Sequence, residues 1–374
     1  MPFGTEPQEQ GIALALSGGG FRAVLFHVGM LGRLNQMGVL PKLARISSVS
    51  GGSIVAGLLA VRWKGLAFDS KGVAINFDTE VERPLRDFCS RRIDVVSILS
   101  GVLNPFKTAS EKLADAYRKH LGMQASLQSL PDAPCFVFNS TNYATGSSFR
   151  FSKPYAGDYR IGLIDRPDFD VATAVACSSA FPPLLAPMAL NISNPAVFRR
   201  TAGANLWEHE DFRRRLHLAD GGVYDNLGLE TVWNRYDTLL VSDAGKPFEL
   251  DASIGAFAPK QIFRVMDIGL SQALALRKRM LINKYRSGSF KGTFWAIDTQ
   301  ITAYKTRDAL PVAPRKIAEL SAIRTRLDRF REQEQCELIN WGYAVCDAAV
   351  RAYVPQVAQQ TPNPIWPYPQ YRLG

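Results

Sequence analysis

The chain has 374 residues, of which 47% are hydrophobic and 21% are charged, and its formal net charge is +10. This composition is typical of a globular protein with a large core, and it excludes a disordered or fibrous chain. No apolar run reaches the ~18–20 residues that a membrane-spanning helix needs, and no secretory signal is expected at the N-terminus. The five cysteines are widely spaced, which favours a reduced, cytoplasmic setting and gives no metal-binding pattern.

Strands and helices are predicted to alternate along the chain. A buried strand over 11–16 precedes a helix over 21–37, and a strand over 43–49 precedes a helix over 53–63. This order indicates an α/β protein with a parallel sheet covered by helices. Residues 64–133 are interpreted as an insertion over the sheet. Further strands are predicted over 135–139, 148–152, 216–219, 238–242 and 292–297, and further helices over 109–120, 170–179, 227–235, 261–284, 315–333 and 335–352.

The sequence contains no internal repeat and no linker that would divide the chain. A single domain over residues 1–374 is therefore expected. Its catalytic core would span about 11–300, followed by a helical C-terminal extension over about 301–374.

A glycine-rich segment, residues 17–22 (SGGGFR), joins the first predicted strand to the first helix. Consecutive glycines let backbone N–H groups converge, and a helix N-terminus adds partial positive charge, so the segment is suited to an anion. A pyrophosphate is one candidate, because Gly18-x-Gly20-x-x-Ala23 matches a relaxed dinucleotide-binding fingerprint. That fingerprint expects an acid ~20 positions later, and none occurs between Glu9 and Asp69. An oxyanion formed on a reacting carbonyl and a tight turn without a ligand both remain open.

A second candidate is Ser50, in the segment 48–52 (SVSGG) between a strand and an apolar helix. A nucleophilic serine on such a sharp turn projects clear of the sheet, and the next N–H can join an oxyanion hole. Glycines usually lie two places before and after this serine; Gly52 supplies one, but Ser48 replaces the other. A helix start with Ser50 or Ser53 as N-cap is the alternative.

A third candidate is Asp220, at the end of a predicted strand and followed by two glycines. It is either a carboxylate at the ligand-facing edge of the sheet or part of an ordinary Asp-Gly turn. No histidine follows Asp220, and His217 should point to the opposite face of its strand, so no Ser–His–Asp triad is expected. Serine with aspartate alone remains open, because partial burial would raise the basicity of the carboxylate.

In combination these segments resemble the patatin-like phospholipases, lipid acyl hydrolases that use a Ser–Asp dyad. Four blocks occur in the family's order: the glycine-rich residues 18–22, the turn 49–52, the alanine/serine stretch with prolines 176–183, and the D-G-G turn 220–222. Ser48 departs from the family's pattern. The resemblance implies a three-layer α/β/α fold with a mainly parallel central sheet. It also implies phospholipase A-type hydrolysis of glycerophospholipid esters without a metal or cofactor.

The resemblance further implies a role for each matched residue. Ser50 would attack the ester carbonyl to form an acyl-enzyme, with Asp220 as general base and then as acid. Arg22 would steady the glycine-rich loop or contact a lipid phosphate. Backbone N–H groups of the oxyanion hole would come from Gly18, Gly19, Gly20 and Gly51.

The basic surplus suits an anionic partner. Arg277, Lys278, Arg279 and Lys284 lie on a predicted helix with apolar residues, which would suit an anionic bilayer, although a solvated basic face is the alternative. A phospholipid substrate, peripheral membrane association and no nucleic acid are expected. The other functions left open are a neutral-lipid lipase or transacylase on the same dyad, a nucleotide- or nucleic-acid-binding protein, and a catalytically inactive scaffold.

Overall fold

The computed structural model describes residues 9–92, 108–253, 255, 257–357 and 361–374, so residues 93–107 of the predicted insertion lie outside the described residues. The strands are β1 (Glu9–Leu16), β2 (Leu43–Val49), β3 (Cys135–Asn142), β4 (Ser147–Ser152), β5 (Tyr155–Asp158), β6 (Gly162–Asp165), β7 (Met188–Asn191), β8 (Phe198–Arg199), β9 (Arg215–Asp220), β10 (Tyr236–Asp243) and β11 (Lys291–Ala296). The α-helices are α1 (Gly20–Gln36), α2 (Gly51–Arg62), α3 (Arg83–Cys89), α4 (Ala109–Leu121), α5 (Val171–Ser179), α6 (Asp211–Arg214), α7 (Gly222–Asp225), α8 (Ala258–Arg286), α9 (Pro314–Ala322) and α10 (Glu332–Tyr353).

The strands form one large sheet with a parallel centre. Strands β11, β10, β1, β2 and β3 lie side by side in that order and run parallel to one another. The sheet continues beyond β3 through the antiparallel strands β4, β5, β6 and β8. Strand β9 pairs antiparallel with both β3 and β7. The predicted α/β class with a mainly parallel central sheet is confirmed.

Helices cover both faces of the parallel strands. Along β1, Leu14 and Leu16 face a large core that includes residues of α1, α2 and α10. Ala13 and Ala15 point the other way, into a smaller core that includes Leu281 of α8. This alternation is what a strand buried on both faces requires. The result is the three-layer arrangement expected from the sequence.

The C-terminal helix α10 packs directly along α1. A Cβ atom placed on Gly29 would lie 1.9 Å from the Ile339 carbonyl oxygen, and one on Gly342 would lie 1.9 Å from that of Phe26. Only glycine allows the two backbones to approach so closely. Helix α10 contributes many fully buried side chains to the large core, which also contains residues of β1 and α1.

One predicted helix is absent and another is too long, because side chains hold the local backbone in other conformations. Residues 227–235 form turns: the Asp225 carboxylate accepts N–H bonds from Leu227 and Glu230, and Gly228 has a φ of +66°. The helix predicted over 315–333 ends at Ala322. At this end, the carbonyl oxygens of Ser321 and Ile323 accept hydrogen bonds from the guanidinium of Arg22 and not from a further helical turn.

Candidate active site

Strand β3 brings the ends of β2 and β9 to one point. Strand β2 runs parallel to β3 and ends with Val49 opposite Asn139. Strand β9 runs antiparallel and ends with Asp220 opposite Ser140. Because Asn139 and Ser140 are neighbours, β2 and β9 meet head-on along the same side of β3. The turn that begins at Ser50 and the turn after Asp220 therefore lie together at the C-terminal edge of the parallel strands.

The backbone of Ser50 adopts a conformation that non-glycine residues seldom adopt. Its φ and ψ are +52° and −120°, between β2 and α2, in a region that is strained for a residue with a Cβ atom. The surrounding structure holds this conformation: the Ser50 N–H donates to both the carbonyl oxygen of Ser178, at 3.2 Å, and its hydroxyl, at 3.1 Å. This is the sharp strand-to-helix turn that a nucleophilic serine requires.

Ser48, which departs from the family's pattern, is accommodated inside the sheet. Its hydroxyl donates to the carbonyl oxygen of Val137 at 3.1 Å and accepts from the Ser53 hydroxyl at 2.9 Å. Because the buried hydroxyl of Ser48 both donates and accepts a hydrogen bond, its burial costs little folding free energy. The position two residues after Ser50 is more demanding. A Cβ atom on Gly52 would lie 2.6 Å from the carbonyl oxygen of Leu16.

The N-termini of α1 and α2 converge beside Ser50. Gly20 and Gly51 are the first residues of these helices, so their N–H groups have no partner within their own helix. The two backbones touch, since a Cβ atom on Gly51 would lie 2.3 Å from the carbonyl oxygen of Gly20. Gly19 has a φ of +141°, which only glycine adopts readily. Two helix N-termini and free N–H groups at one point are suited to a developing negative charge.

Gly18 has a different role from the other glycines of this loop. Its N–H donates to the carbonyl oxygen of Asn226 at 3.1 Å. Because this N–H group already has an acceptor, the expectation that Gly18 donates to an oxyanion is corrected. The lack of a side chain matters instead, because a Cβ atom on Gly18 would lie 2.9 Å from the Cβ atom of Ser50. The remaining candidate donors are the N–H groups of Gly19, Gly20 and Gly51.

The carboxyl group of Asp220 is buried, with the residue 1% exposed. One oxygen, Oδ1, accepts a hydrogen bond from the Gly222 N–H at 2.7 Å. The other, Oδ2, has no hydrogen-bond partner. Burial raises the pKa of Asp220 to about 6, while the Gly222 N–H and the nearby Ser50 hydroxyl act in the opposite direction. The Ser50 hydroxyl thus lies near the Asp220 carboxyl group without a hydrogen bond of regular geometry. The carboxylate has the raised basicity that a general base needs.

Arg22 lies behind the glycine-rich loop and is fully buried. Its guanidinium donates to the carbonyl oxygens of Ser321, Ile323 and Ala244, at 2.6–2.9 Å. Burial lowers the pKa of Arg22 to about 10. Contact with a lipid phosphate does not fit a side chain enclosed in this way. Arg22 instead fastens the start of α1 to the segments after β10 and α9.

None of the hydrogen bonds among the described residues joins a histidine to the dyad candidates. His27 is fully buried, and its ring nitrogens contact the Ser17 carbonyl oxygen and the Ser242 hydroxyl, both at 3.0 Å. Burial lowers the pKa of His27 to about 4, so its ring is neutral near pH 7. His217 lies on β9 opposite Ala189 of β7, and the alternation of side chains along β9 places it on the other face from Leu218.

Sequence reasoning missed Ser178, which connects the two turns. Besides the bonds to Ser50, its carbonyl oxygen accepts the N–H of Gly221 at 3.2 Å, and its hydroxyl donates to the carbonyl oxygen of Asn139 at 2.6 Å. The sequence marks Ser178 only as part of the block 176–183. Nothing in that block indicates which serine faces the turns of Ser50 and Asp220, because the choice depends on how α5 packs against β3.

Asn226 was also missed. Its carboxamide oxygen lies close to the Cα atoms of both Gly18 and Gly222, since Cβ atoms placed there would be 2.4 and 2.7 Å from it. The side chain therefore fills the space between the glycine-rich loop and the turn of Asp220. Asn226 follows the D-G-G turn by only a few residues, but no spacing rule singles it out.

The described part of the chain contains no cluster of three or more His, Cys, Asp or Glu side chains that could hold a metal ion. Nor does it contain a helix long and apolar enough to cross a membrane.

Comparison with known proteins is consistent with this geometry. The family described as patatin-like phospholipase matches residues 14–233, which is more than half of the chain and includes both turns. The chain belongs to the patatin-like phospholipase family, and this membership supports lipid acyl hydrolase activity. No curated protein sequence matches the chain.

Two solved structures of one human protein support the fold. Human GIVD cytosolic phospholipase A2, in complex with methyl γ-linolenyl fluorophosphonate and terbium chloride, aligns with a TM-score of 0.51 at 15% identity, over 94% of this chain. A second complex with the same fluorophosphonate gives 0.50 at 15% identity and the same coverage. The chain spans 59% of the human chain in both. VipD from Legionella pneumophila aligns with a TM-score of 0.36 at 15% identity, over 95% of this chain and 67% of its own.

Proposed function

We propose that the chain is a lipid acyl hydrolase of phospholipase A type in which Ser50 and Asp220 form a catalytic dyad. The observation that carries the proposal is the pairing of a serine on a strained strand-to-helix turn with a buried carboxylate whose Oδ2 atom has no partner. A buried acceptor without a partner is costly. A catalytic site retains such an acceptor because the reaction supplies the proton that it accepts.

The reaction begins when the Ser50 hydroxyl transfers its proton to Oδ2 of Asp220 and its oxygen bonds to the ester carbonyl carbon. The carbonyl oxygen becomes negative and is stabilised by the N–H groups of Gly19, Gly20 and Gly51. When the tetrahedral intermediate collapses, protonated Asp220 gives its proton to the departing alcohol, a lysophospholipid, and the acyl group stays on Ser50. A water molecule then transfers a proton to Asp220, and its oxygen bonds to the carbonyl carbon of the acyl-enzyme. The bond from that carbon to the Ser50 oxygen breaks, Asp220 returns the proton to this oxygen, and a fatty acid leaves.

A pKa of about 6 for Asp220 suits both halves of this cycle. The carboxylate is ionised at neutral pH and can accept a proton, and its conjugate acid is strong enough to protonate the leaving alcohol. Aspartate with its usual pKa near 3.9 would be a weaker base. Burial thus supplies the basicity that a histidine supplies in a triad.

Labelling by a fluorophosphonate probe tests the nucleophile. We expect the wild type to be labelled and Ser50→Ala to be unlabelled, whereas Ser287→Ala, which removes an exposed serine far along the chain, should be labelled like the wild type. Labelling that persists in Ser50→Ala on Ser47, Ser48 or Ser53 would remove the assignment.

The substrate is tested by product analysis. Phosphatidylcholine vesicles and a triacylglycerol emulsion are offered separately, and released fatty acids and lysolipids are measured by mass spectrometry. Lysophospholipid from wild type but not from Ser50→Ala supports the proposal, and activity should survive excess chelator. Release from triacylglycerol alone would identify a neutral-lipid lipase instead.

A further inference from the structure

Helix α8 extends far beyond the sheet edge at which the candidate active site lies. Tyr285 donates its hydroxyl to the carbonyl oxygen of Leu239 within β10, and Lys278 forms an ion pair with Asp243 at the end of β10. Because α8 therefore runs antiparallel to β10, the residues before Lys278 pass the C-terminal edge of the sheet. At ~1.5 Å per residue, residues 258–277 reach about 30 Å beyond it.

The basic residues on the second half of α8 hold the helix in place. Arg277 lies 3.2 Å from the buried carboxylate of Asp225 and donates to the Tyr224 carbonyl oxygen at 3.0 Å. Lys278 lies 2.5 Å from the buried carboxylate of Asp243. These two side chains form ion pairs with buried acids beside the active site. Their contact with an anionic bilayer stays a prediction of the sequence.

The first half of α8 is amphipathic, and several of its apolar side chains are exposed among the residues that the structure describes. At 100° per residue, the side chains on one face are apolar and those on the opposite face are mostly polar. Ile262 and Val265 are each 69% exposed and Phe263 is 47% exposed. The apolar face consists of Ile262, Phe263, Val265, Met266 and Leu270. The opposite side carries Lys260, Arg264, Asp267 and Ser271, with Ile268 as its one apolar residue in this half of the helix.

A second exposed apolar segment lies on another side of the site. It follows α5, where the carbonyl oxygen of Ala180 accepts the Asp220 N–H. Within it, Phe181 is 48% exposed and Leu184 is 55% exposed. Exposed apolar side chains that lie together mark surfaces that contact something else. Here they flank the edge at which the ester must enter.

The projecting part of the chain is electrically balanced. Residues 246–276 contain three basic side chains, Lys246, Lys260 and Arg264, and three acidic ones, Glu249, Asp251 and Asp267. Charge therefore gives this element no preference for an anionic surface. Any affinity of this element for a surface must therefore come from its apolar face.

We propose that the first half of α8 lies in the surface of a lipid bilayer, with its apolar face at the boundary of the acyl chains and the active-site edge turned toward the membrane. The inference rests on the proposed function, because an ester held in a bilayer explains why both apolar segments border the same edge. An interfacial helix needs an apolar face, a polar face and a length of several turns, and this segment has all three.

Vesicle binding tests the surface without requiring catalysis. In a Ser50→Ala background, the double variant Ile262→Glu/Val265→Glu should partition onto phosphatidylcholine vesicles roughly tenfold or more weakly, because two apolar side chains are lost from the interface. The matched control Gln261→Glu/Ser271→Glu adds the same charge outside the apolar face and should bind like its parent. Equal sedimentation of the two double variants would overturn the proposal.

A second measurement separates the surface from the chemistry. With Ser50 intact, Ile262→Glu/Val265→Glu should hydrolyse a monomeric short-chain ester at the wild-type rate but lose most of its activity on vesicles. A wild type that cleaves no ester would refute the proposed function while leaving the binding result standing. If light scattering shows a wild-type dimer that this variant disrupts while vesicle binding is unchanged, the face joins two copies of the chain and the bilayer proposal is wrong.

Discussion

The turn of Ser50 and the turn of Asp220 position their side chains by different physical means. At Ser50 the unfavourable feature is the backbone, with a φ of +52° held by the hydrogen bonds that the Ser50 N–H donates to Ser178. At Asp220 the backbone is ordinary, since Asp220 is the last residue of strand β9. The unfavourable feature there is a buried carboxylate with an oxygen that has no partner.

The difference teaches that one site can store unfavourable free energy in two forms. The strain at Ser50 is geometric, so changes there should displace the hydroxyl. The strain at Asp220 is electrostatic, so changes there should alter proton affinity and leave the geometry intact. Each of the following predictions tests one side of this contrast.

The largest effect is expected from Asp220→Asn, which keeps the shape of the side chain but removes its ability to accept a proton. Ester hydrolysis should fall by a factor on the order of 10²–10⁴, the usual contribution of general acid–base catalysis. The measurement is kcat on a short-chain ester, after circular dichroism has shown that the variant is folded. Activity near the wild-type level would refute the role of Asp220.

The same variant should be more stable than the wild type at neutral pH. The pKa of Asp220 is raised to about 6, so the folded wild type binds this proton more tightly than the unfolded chain and loses stability as pH rises from about 4 to 6. Asparagine does not ionise, so the advantage of the variant should grow over that range and level off above it, at up to about 3 kcal/mol. Urea unfolding of both proteins at pH 4, 6 and 8 measures it.

The next effect tests geometry at the other turn. In Gly18→Ala the new Cβ atom would lie 2.4 Å from the Asn226 carboxamide oxygen and 2.9 Å from the Cβ atom of Ser50. Displacement of the nucleophile should lower kcat by a factor on the order of 10², with little change in the pH profile. Gly65→Ala is the control, because nothing lies within 4 Å of a Cβ atom there. A Gly18→Ala variant as active as this control would contradict the prediction.

The next prediction concerns the pH dependence of kcat/KM. Because the carboxylate of Asp220 must be ionised to accept a proton, kcat/KM should fall about tenfold per pH unit below a midpoint near 6. His27→Gln should show the same midpoint, since the neutral ring of His27 bonds to Ser17 and Ser242 and not to the dyad. A midpoint that moves in His27→Gln would show that the histidine takes part.

The smallest effect is expected from Ser178→Ala. The substitution removes one of the two acceptors of the Ser50 N–H but leaves the carbonyl oxygen of residue 178 in place. We expect kcat to fall only several-fold and stability by about 1 kcal/mol. Ser179→Ala is the matched control, because its hydroxyl bonds to Val175 and Tyr117. It should lose similar stability without losing activity, and equal kcat in the two variants would contradict a positioning role for Ser178.

The local pattern of the sequence was enough to predict the elements that carry the site. Strand β2 has the predicted bounds, and the starts of α1 and α2 lie within a few residues of the predicted ones. Apolar residues in a regular pattern and glycine-rich turns are local signals, and the folded structure has the elements that both predict. The helix predicted over 227–235 was wrong because the side chain of Asp225 and the left-handed Gly228 determine that backbone, and periodicity does not report either.

By itself the sequence determined the fold class, the order of the four blocks and the candidates Ser50 and Asp220, since each depends on residues close together in the chain. Only the tertiary structure decided that β2 and β9 meet on β3, that the Gly18 N–H is taken by Asn226, and that Arg22 is enclosed. It also decided which residues of α8 are exposed. Pairing between distant strands, burial and competition for hydrogen-bond partners all depend on segments far apart in the sequence, so no local pattern encodes them.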